Sequence, residues 1–235
     1  MGFYRHVSTF AGLPVRDFMP DQDMSGVDPG AVAWRVATDW DRGPDGFDAA
    51  LAALLDAPWV GQVRALIIGE WGESYERTAP IDRLVAAADR LTGLTALFLG
   101  EMTSEECEIS WIQQGDVAPL LTAYPRLEVL RVRGSEGLAL SPVRHETLQE
   151  LAFESGGLPA RIIAAIVACE FPALRKLDLM LGTENYGGDA DVEDLAPILA
   201  GTNWPHLEYL GLRDAEIADE VARALAGAPV VARLK

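Results

Sequence analysis

One spacing of apolar positions recurs along the chain: apolar-x-x-apolar-x-apolar. It occurs as Val63-x-x-Leu66-x-Ile68, Leu94-x-x-Leu97-x-Leu99, Leu127-x-x-Leu130-x-Val132, Leu148-x-x-Leu151-x-Phe153, Leu174-x-x-Leu177-x-Leu179 and Leu207-x-x-Leu210-x-Leu212. Val32-x-Trp34-x-Val36 reads as a degenerate first copy, and a seventh begins at Val231-x-x-Leu234. The alternation at the end of each copy predicts a short strand with one apolar face. Between equivalent leucines (66, 97, 130, 151, 177, 210, 234) the steps are 31, 33, 21, 26, 33 and 24 residues, each one structural unit long. Three copies share an aromatic-Pro-x-Leu lead-in: Tyr124-Pro125-Arg126-Leu127, Phe171-Pro172-Ala173-Leu174 and Trp204-Pro205-His206-Leu207. A proline there stops a preceding helix and presets an extended entry to the strand.

Between the copies apolar residues return at three- and four-residue spacing, as in Leu51, Leu54 and Leu55. This predicts helices over 47–57, 81–91, 117–123, 159–169, 192–200 and 218–226. Asp45, Asp116, Asp191 and Asp214 stand near the starts, where carboxylates cap a helix and complement its dipole. The unit is strand, turn, helix, return. The 21-residue step leaves no room for a full helix between the third and fourth copies.

Copy six, Leu207-Glu-Tyr-Leu210-Gly-Leu212-Arg-Asp-Ala215-Glu-Ile217, resembles the eleven-residue consensus of leucine-rich-repeat proteins, with Ala215 at the position usually held by Asn or Cys. Trp71, Met102, Ser135, Gly156 and Gly182 occupy that position in the other copies. The mixture of strand and helix is similar to the ribonuclease-inhibitor-like branch. The opening from His6 to Val15 resembles uncharacterised bacterial cytoplasmic proteins of this type. The resemblance covers residues 31–235, about six to seven repeats with the last incomplete. It implies an α/β fold, a right-handed horseshoe solenoid with parallel strands on the concave face and helices on the convex face. It also implies a habit of binding proteins, and no catalytic residue. Residues 1–30, with Pro14, Pro20 and Pro29 and no repeat match, are expected to form an N-terminal cap over the first open edge.

In such a solenoid the leucines point into the core and the alternating residues line the concave face. The first rows there, Ala65, Ile67, Ala96 and Phe98, are small or apolar. Later rows are charged: Arg131 and Arg133, then Glu150 and Glu154, then Lys176 and Asp178, then Tyr209 and Arg213. Arg131 and Arg133 are placed to face Glu150 and Glu154 about 5 Å away, by strand spacing. Two readings stand: a self-neutralising solvated sheet, or a binding face with an apolar and a charged zone. The loops after three strands, 70–80, 101–116 and 182–194, are long. Their 40 residues hold thirteen acidic side chains and one basic, Arg77. Trp71, Tyr75, Trp111 and Tyr186 are interspersed with acids that include Glu105, Glu106 and Glu108. All leave the same edge of a solenoid, so acid and aromatic groups are expected to converge on one rim, there to dock a basic protein or simply to solubilise the edge.

Composition narrows the remaining possibilities. The chain has 235 residues, of which 49% are hydrophobic and 23% charged, enough apolar content for a core without staples. Nineteen basic against 36 acidic residues give a formal charge of −17, which argues against binding nucleic acid or an anionic membrane. No apolar run approaches a membrane span, and no basic-then-apolar leader opens the sequence. Two cysteines make no disulfide framework, so the expected compartment is the cytoplasm. Cys169 reads as core, and Cys107 lies among Glu105, Glu106 and Glu108, which raise a thiol pKa.

The three histidines are scattered and no zinc spacing exists. No phosphate-binding glycine motif or nucleophile elbow is present. Asp21-Gln-Asp23-Met-Ser25-Gly26 resembles the start of a calcium loop, but position twelve is Val32 where a bidentate Glu is needed. The expectation is therefore a non-enzymatic scaffold without cofactor or metal that binds an unidentified protein, a basic one if the rim is the docking surface. The alternatives are an interaction domain of a larger enzyme or effector, or a hydrolase with an unrecognised site. An edge-to-edge dimer through the C-terminal repeat is a further possibility.

Overall fold

The computed structural model describes residues 3–235. It contains one nine-stranded sheet whose strands follow chain order: β1 (Thr9–Phe10), β2 (Leu13–Asp17), β3 (Ala33–Val36), β4 (Ala65–Ile68), β5 (Ala96–Leu99), β6 (Val129–Arg133), β7 (Glu150–Glu154), β8 (Lys176–Met180) and β9 (Tyr209–Arg213). β1 and β2 are antiparallel, and every later neighbouring pair is parallel. Parallel neighbours need a crossover, and five helices serve, α1 (Gly43–Asp56), α2 (Ile81–Ala86), α3 (Ala118–Ala123), α4 (Ala160–Ala168) and α5 (Val192–Ala200), while α6 (Ala218–Ala226) follows β9. No helix lies between β6 and β7, as the short step requires. None of the described helices is long and apolar enough to cross a membrane.

Register explains the repeat. Trp34, Leu66, Leu97, Leu130, Leu151, Leu177 and Leu210 pair across successive strands in one row. Val36, Ile68, Leu99, Val132, Phe153, Leu179 and Leu212 form a second row two residues on. Both rows share one core with helix residues such as Leu51, Leu54, Leu84, Leu120, Ile162, Ile166, Leu195 and Ile198. The helices therefore cover one face of the sheet. A separate, smaller cluster of Phe10, Ala33, Ala65, Ile67, Ala96 and Phe98 occupies the other face, which carries no helix. The lead-in aromatics serve the same core: Tyr124, Phe171 and Trp204 are buried, and the Tyr124 hydroxyl donates to the Leu84 carbonyl. Burial pushes that phenol well above its usual pKa.

Four local readings are refined. Val32–Val36 supplies a full member of the ladder, because Trp34 stands opposite Leu66. Residues 1–30, expected as a cap, contain β1 and β2, and Arg16 of β2 pairs with Trp34, so the sheet begins inside this segment. The predicted helix over 81–91 stops at Ala86, and α1 starts at Gly43 with Pro44 in its first turn.

The last copy is displaced by three residues. Leu234 N–H donates to Val231 as Leu207 N–H donates to Trp204, and Lys235 N–H donates to Glu208 as Glu208 N–H donates to Arg175. Leu234 thus corresponds to Leu207 rather than Leu210, and Val231-Ala-Arg-Leu234 is a lead-in without its proline. Residues Pro229–Arg233 accordingly form a 3-10 turn, not a strand.

The loop after β8 shows how tightly successive turns stack. Gly182 has φ +69°, and a Cβ there would lie 1.8 Å from the Gly156 carbonyl oxygen. Gly187 has φ +87°, yet a Cβ would meet nothing within 4 Å. Gly187→Ala is expected to cost about 1 kcal/mol, the strain of a left-handed alanine. Gly182→Ala is expected to cost about 3 kcal/mol or more, because backbone must move. Urea unfolding of the two variants measures the difference.

Candidate functional site

On the helix-free face the charged rows neutralise one another. Arg131 donates to Glu150 at 2.9 Å, and Lys176 reaches the same Glu150 oxygen at 3.1 Å. Arg133 donates to Glu154 at 2.8 Å, and Arg213 to Asp178 at 2.7 Å. Lys176 also lies over the Tyr209 ring at 5.3 Å. Parallel strands bring opposite charges on adjacent rows into contact, so each cation of these rows is occupied within the sheet.

Much of this face is not open. Phe98 is fully buried beneath Phe10, Arg131 and Arg133, and so cannot contact a partner directly. Arg133, Glu154 and Asp178 are buried as well. Arg131, Glu150 and Lys176 are half-buried, and only Tyr209 and Arg213 are exposed. Part of the cover, over Phe98 and Arg133, comes from Phe10 and Phe3 of the N-terminal segment, which carries no repeat signal.

The edge where the strands end is different. Tyr75, Ser104, Glu105, Glu106, Cys107, Glu108, Trp111 and Tyr186 line one groove of about 550 Å³, which brings all three long loops together. A second groove, of about 470 Å³, continues from Tyr75, Glu105 and Glu106 to Asp39, Trp40, Glu70 and Glu73. Trp40, Trp111, Tyr186 and Tyr75 are 88%, 61%, 56% and 41% exposed, a rare concentration of uncovered rings on one edge. Trp71 does not belong with them. It is buried, and its indole N–H donates to the Arg77 carbonyl at 2.8 Å, so it is a core residue and not a rim contact.

The rim carboxylates divide into used and unused. Glu70 accepts from the Gly72 and Ser74 amides and the Ser74 hydroxyl, so it shapes its own loop. Glu106 accepts from the Thr103 amide and hydroxyl, and Asp39 is paired with Arg42. Glu73, Glu105 and Glu108 have no hydrogen bond or ion pair among the described residues. Trp40 lies outside the three long loops because it follows β3, whose repeat is degenerate, whereas Glu73 belongs to the 70–80 loop. Once β3 is placed in the ladder, the loop that follows it falls on the same edge.

The cysteines are free and buried. Burial first, then Glu70, Glu108 and Glu106, pushes the Cys107 thiol up against an opposing hydrogen bond from Ser74. Burial likewise raises Cys169. Both thiols are therefore protonated at neutral pH. Among the described residues no three His, Cys, Asp or Glu side chains converge as a metal-binding set. Asp23, at the calcium-like stretch, spends its carboxylate on the Ser25 amide and hydroxyl.

No family model matches this chain, and neither does any curated protein. Among solved structures it is similar to the crystal structure of a structural-genomics target protein from Bacteroides fragilis, with 29% identity and a TM-score of 0.77. The match covers 85% of this chain and 57% of that one, so this chain spans little more than half of that protein's length. The likeness supports an α/β fold built on a mostly parallel sheet.

The two ion pairs of β6 and β7 differ in burial: side-chain exposure is 3% and 7% for Arg133 and Glu154, against 23% and 21% for Arg131 and Glu150. Glu154→Gln strands a buried guanidinium and is expected to cost about 3 kcal/mol. Glu150→Gln acts on a half-exposed pair and is expected to cost about 1 kcal/mol or less. Denaturant unfolding of both variants checks the order.

Proposed function

We propose that this chain is a non-enzymatic protein-binding module of the leucine-rich-repeat type, a right-handed horseshoe with its strands on the concave face, which docks a basic protein partner along its acidic rim. The observation that carries this reading is the contrast between the two surfaces. Cations and carboxylates on the strand face satisfy each other, whereas the carboxylates of Glu73, Glu105 and half-buried Glu108 on the rim have no counter-charge among the described residues and stand beside Trp40, Tyr75, Trp111 and Tyr186. Exposed rings supply flat apolar area and π-faces for Lys and Arg side chains, and the carboxylates steer a cationic partner into the groove. Interfaces favour aromatic anchors with such a polar surround. Tyr209 and Arg213, exposed at the β9 end, offer a smaller second contact. A bacterial cytoplasmic setting suits two protonated, unpaired thiols.

Calorimetric titration with decalysine, with decaglutamate as the control, tests the rim. Decalysine is expected to bind, with affinity falling about tenfold or more between 50 and 300 mM salt. The Glu73→Lys/Glu105→Lys/Glu108→Lys variant is expected to lose that binding while keeping its melting temperature. Equal binding by the reversed variant, or none by the wild type, contradicts the reading.

A further inference from the structure

The segment from Phe3 to Val7 crosses the helix-free face, touching it through polar contacts at Phe3 and His6 and packing Val7 against the small apolar cluster. The Arg133 guanidinium carbon lies 3.6 Å from the Phe3 ring centroid and 5.2 Å from that of Phe98. The Phe3 carbonyl accepts from the Ser104 amide at 2.7 Å. His6 Nδ1 lies 3.0 Å from one oxygen of Glu101, whose other oxygen accepts from the Val7 amide at 2.9 Å. His6 Nε2 is 3.4 Å from Glu106. Tyr4 and Arg5, in between, point to solvent. The segment is thus held as a bound peptide is held, by two backbone hydrogen bonds, one aromatic ring, one imidazole and the Val7 side chain.

The receiving groups are unusual. Glu101 is a carboxylate with 0% side-chain exposure, and its protein partner besides this segment is Arg35, at 3.2 Å. Arg133 is buried, with its hydrogen bonds spent on Glu154 and the Met102 carbonyl, and offers its flat face to Phe3. Arg35 pairs with Glu101 and Glu154 with Arg133, so what the segment adds is a ring on the guanidinium face and an imidazole and an amide on the carboxylate, contacts that a peptide of matching chemistry can replace. Phe3, Tyr4 and Arg5 contribute nothing to either apolar cluster, and the first buried residue among those described is Phe10. Little apolar burial therefore opposes release of Phe3–His6.

We propose that this face carries a peptide-binding site that the chain's own N-terminal segment fills as an intramolecular ligand. The partner that displaces it is an extended peptide bearing an aromatic side chain for Arg133 and, three residues later, a cationic side chain for Glu101. This site is separate from the rim groove, although Ser104 and Glu106 touch both, and it stands or falls independently of binding to decalysine.

The test uses the amidated peptide Phe-Tyr-Arg-His-Val-Ser and a protein shortened to begin at Ser8 after an initiating Met. In a ¹⁵N-resolved NMR titration the peptide is expected to shift the amides of Glu101, Ser104 and Arg133 in the shortened protein. The full-length protein, its site occupied, shows no shifts at the same concentration. Replacing the peptide's Phe by Ala is expected to weaken binding about tenfold or more. A folded shortened protein that shows no shifts overturns the proposal, as does an Ala peptide that binds equally well. Should the shortened chain not fold, the full-length Phe3→Ala variant decides. The Ser104 amide is then expected to exchange with solvent about tenfold faster at an unchanged melting temperature, and an unchanged exchange rate overturns the proposal.

Discussion

A strand whose inward side chains are Leu151 and Phe153 cannot cover them with its own two dozen residues. The neighbours must do it, and they can do so only if their own leucines fall at the same height. This requirement of register is the constraint on which the rest of the molecule depends. It forces the strands to run parallel in chain order, sends each return path over the same face, and stacks the turns so closely that the Gly182 turn touches the Gly156 backbone. One continuous core results, with each interior strand supported from both sides.

The same register sorts charge. Residues that alternate with the leucines are brought side by side on the opposite face, so opposite signs in adjacent rows meet and cancel, as Arg131 meets Glu150 and Arg133 meets Glu154. The loops that follow the strands are not constrained to pair. Some acidic residues placed there, Glu73, Glu105 and Glu108 among them, have side chains without a partner among the described residues, and aromatic rings that the core does not need remain uncovered beside them. A single repeat therefore produces a face that is electrostatically satisfied and an edge that is not. The exception on the satisfied face is Glu101, whose buried charge is answered by Arg35 and by the N-terminal segment.

Most of the ladder was legible in the leucine spacing, because burial of a strand leaves a direct mark on which positions are apolar. Helix existence was legible for the same reason, and helix ends less so, since the tail after Ala86 is made of turns that keep the same apolar spacing. The candidate site was only half legible. Trp71 sits in an acidic loop and reads as exposed, but it packs into the main apolar core, a tertiary placement that no local pattern reveals. Phe98 reads as surface because the residues that cover it, Phe10 and the N-terminal segment, lie outside the repeats. The final lead-in was misaligned by three residues because Ala232 replaces the proline that marks the others. Trp40 escaped notice for a similar reason, since Trp34 stands where the repeat has leucine.

The most direct test of this account is whether the strands support one another through a shared core. Native-state hydrogen exchange of the Leu97, Leu130 and Leu177 amides, on β5, β6 and β8, reads this in the wild type and in Leu151→Ala on β7. The account predicts that the substitution lowers the protection of all three by a similar amount, about 2–5 kcal/mol, with Leu97 affected although its strand does not pair with β7. Loss of protection confined to β6 and β8, with β5 unchanged, would contradict it.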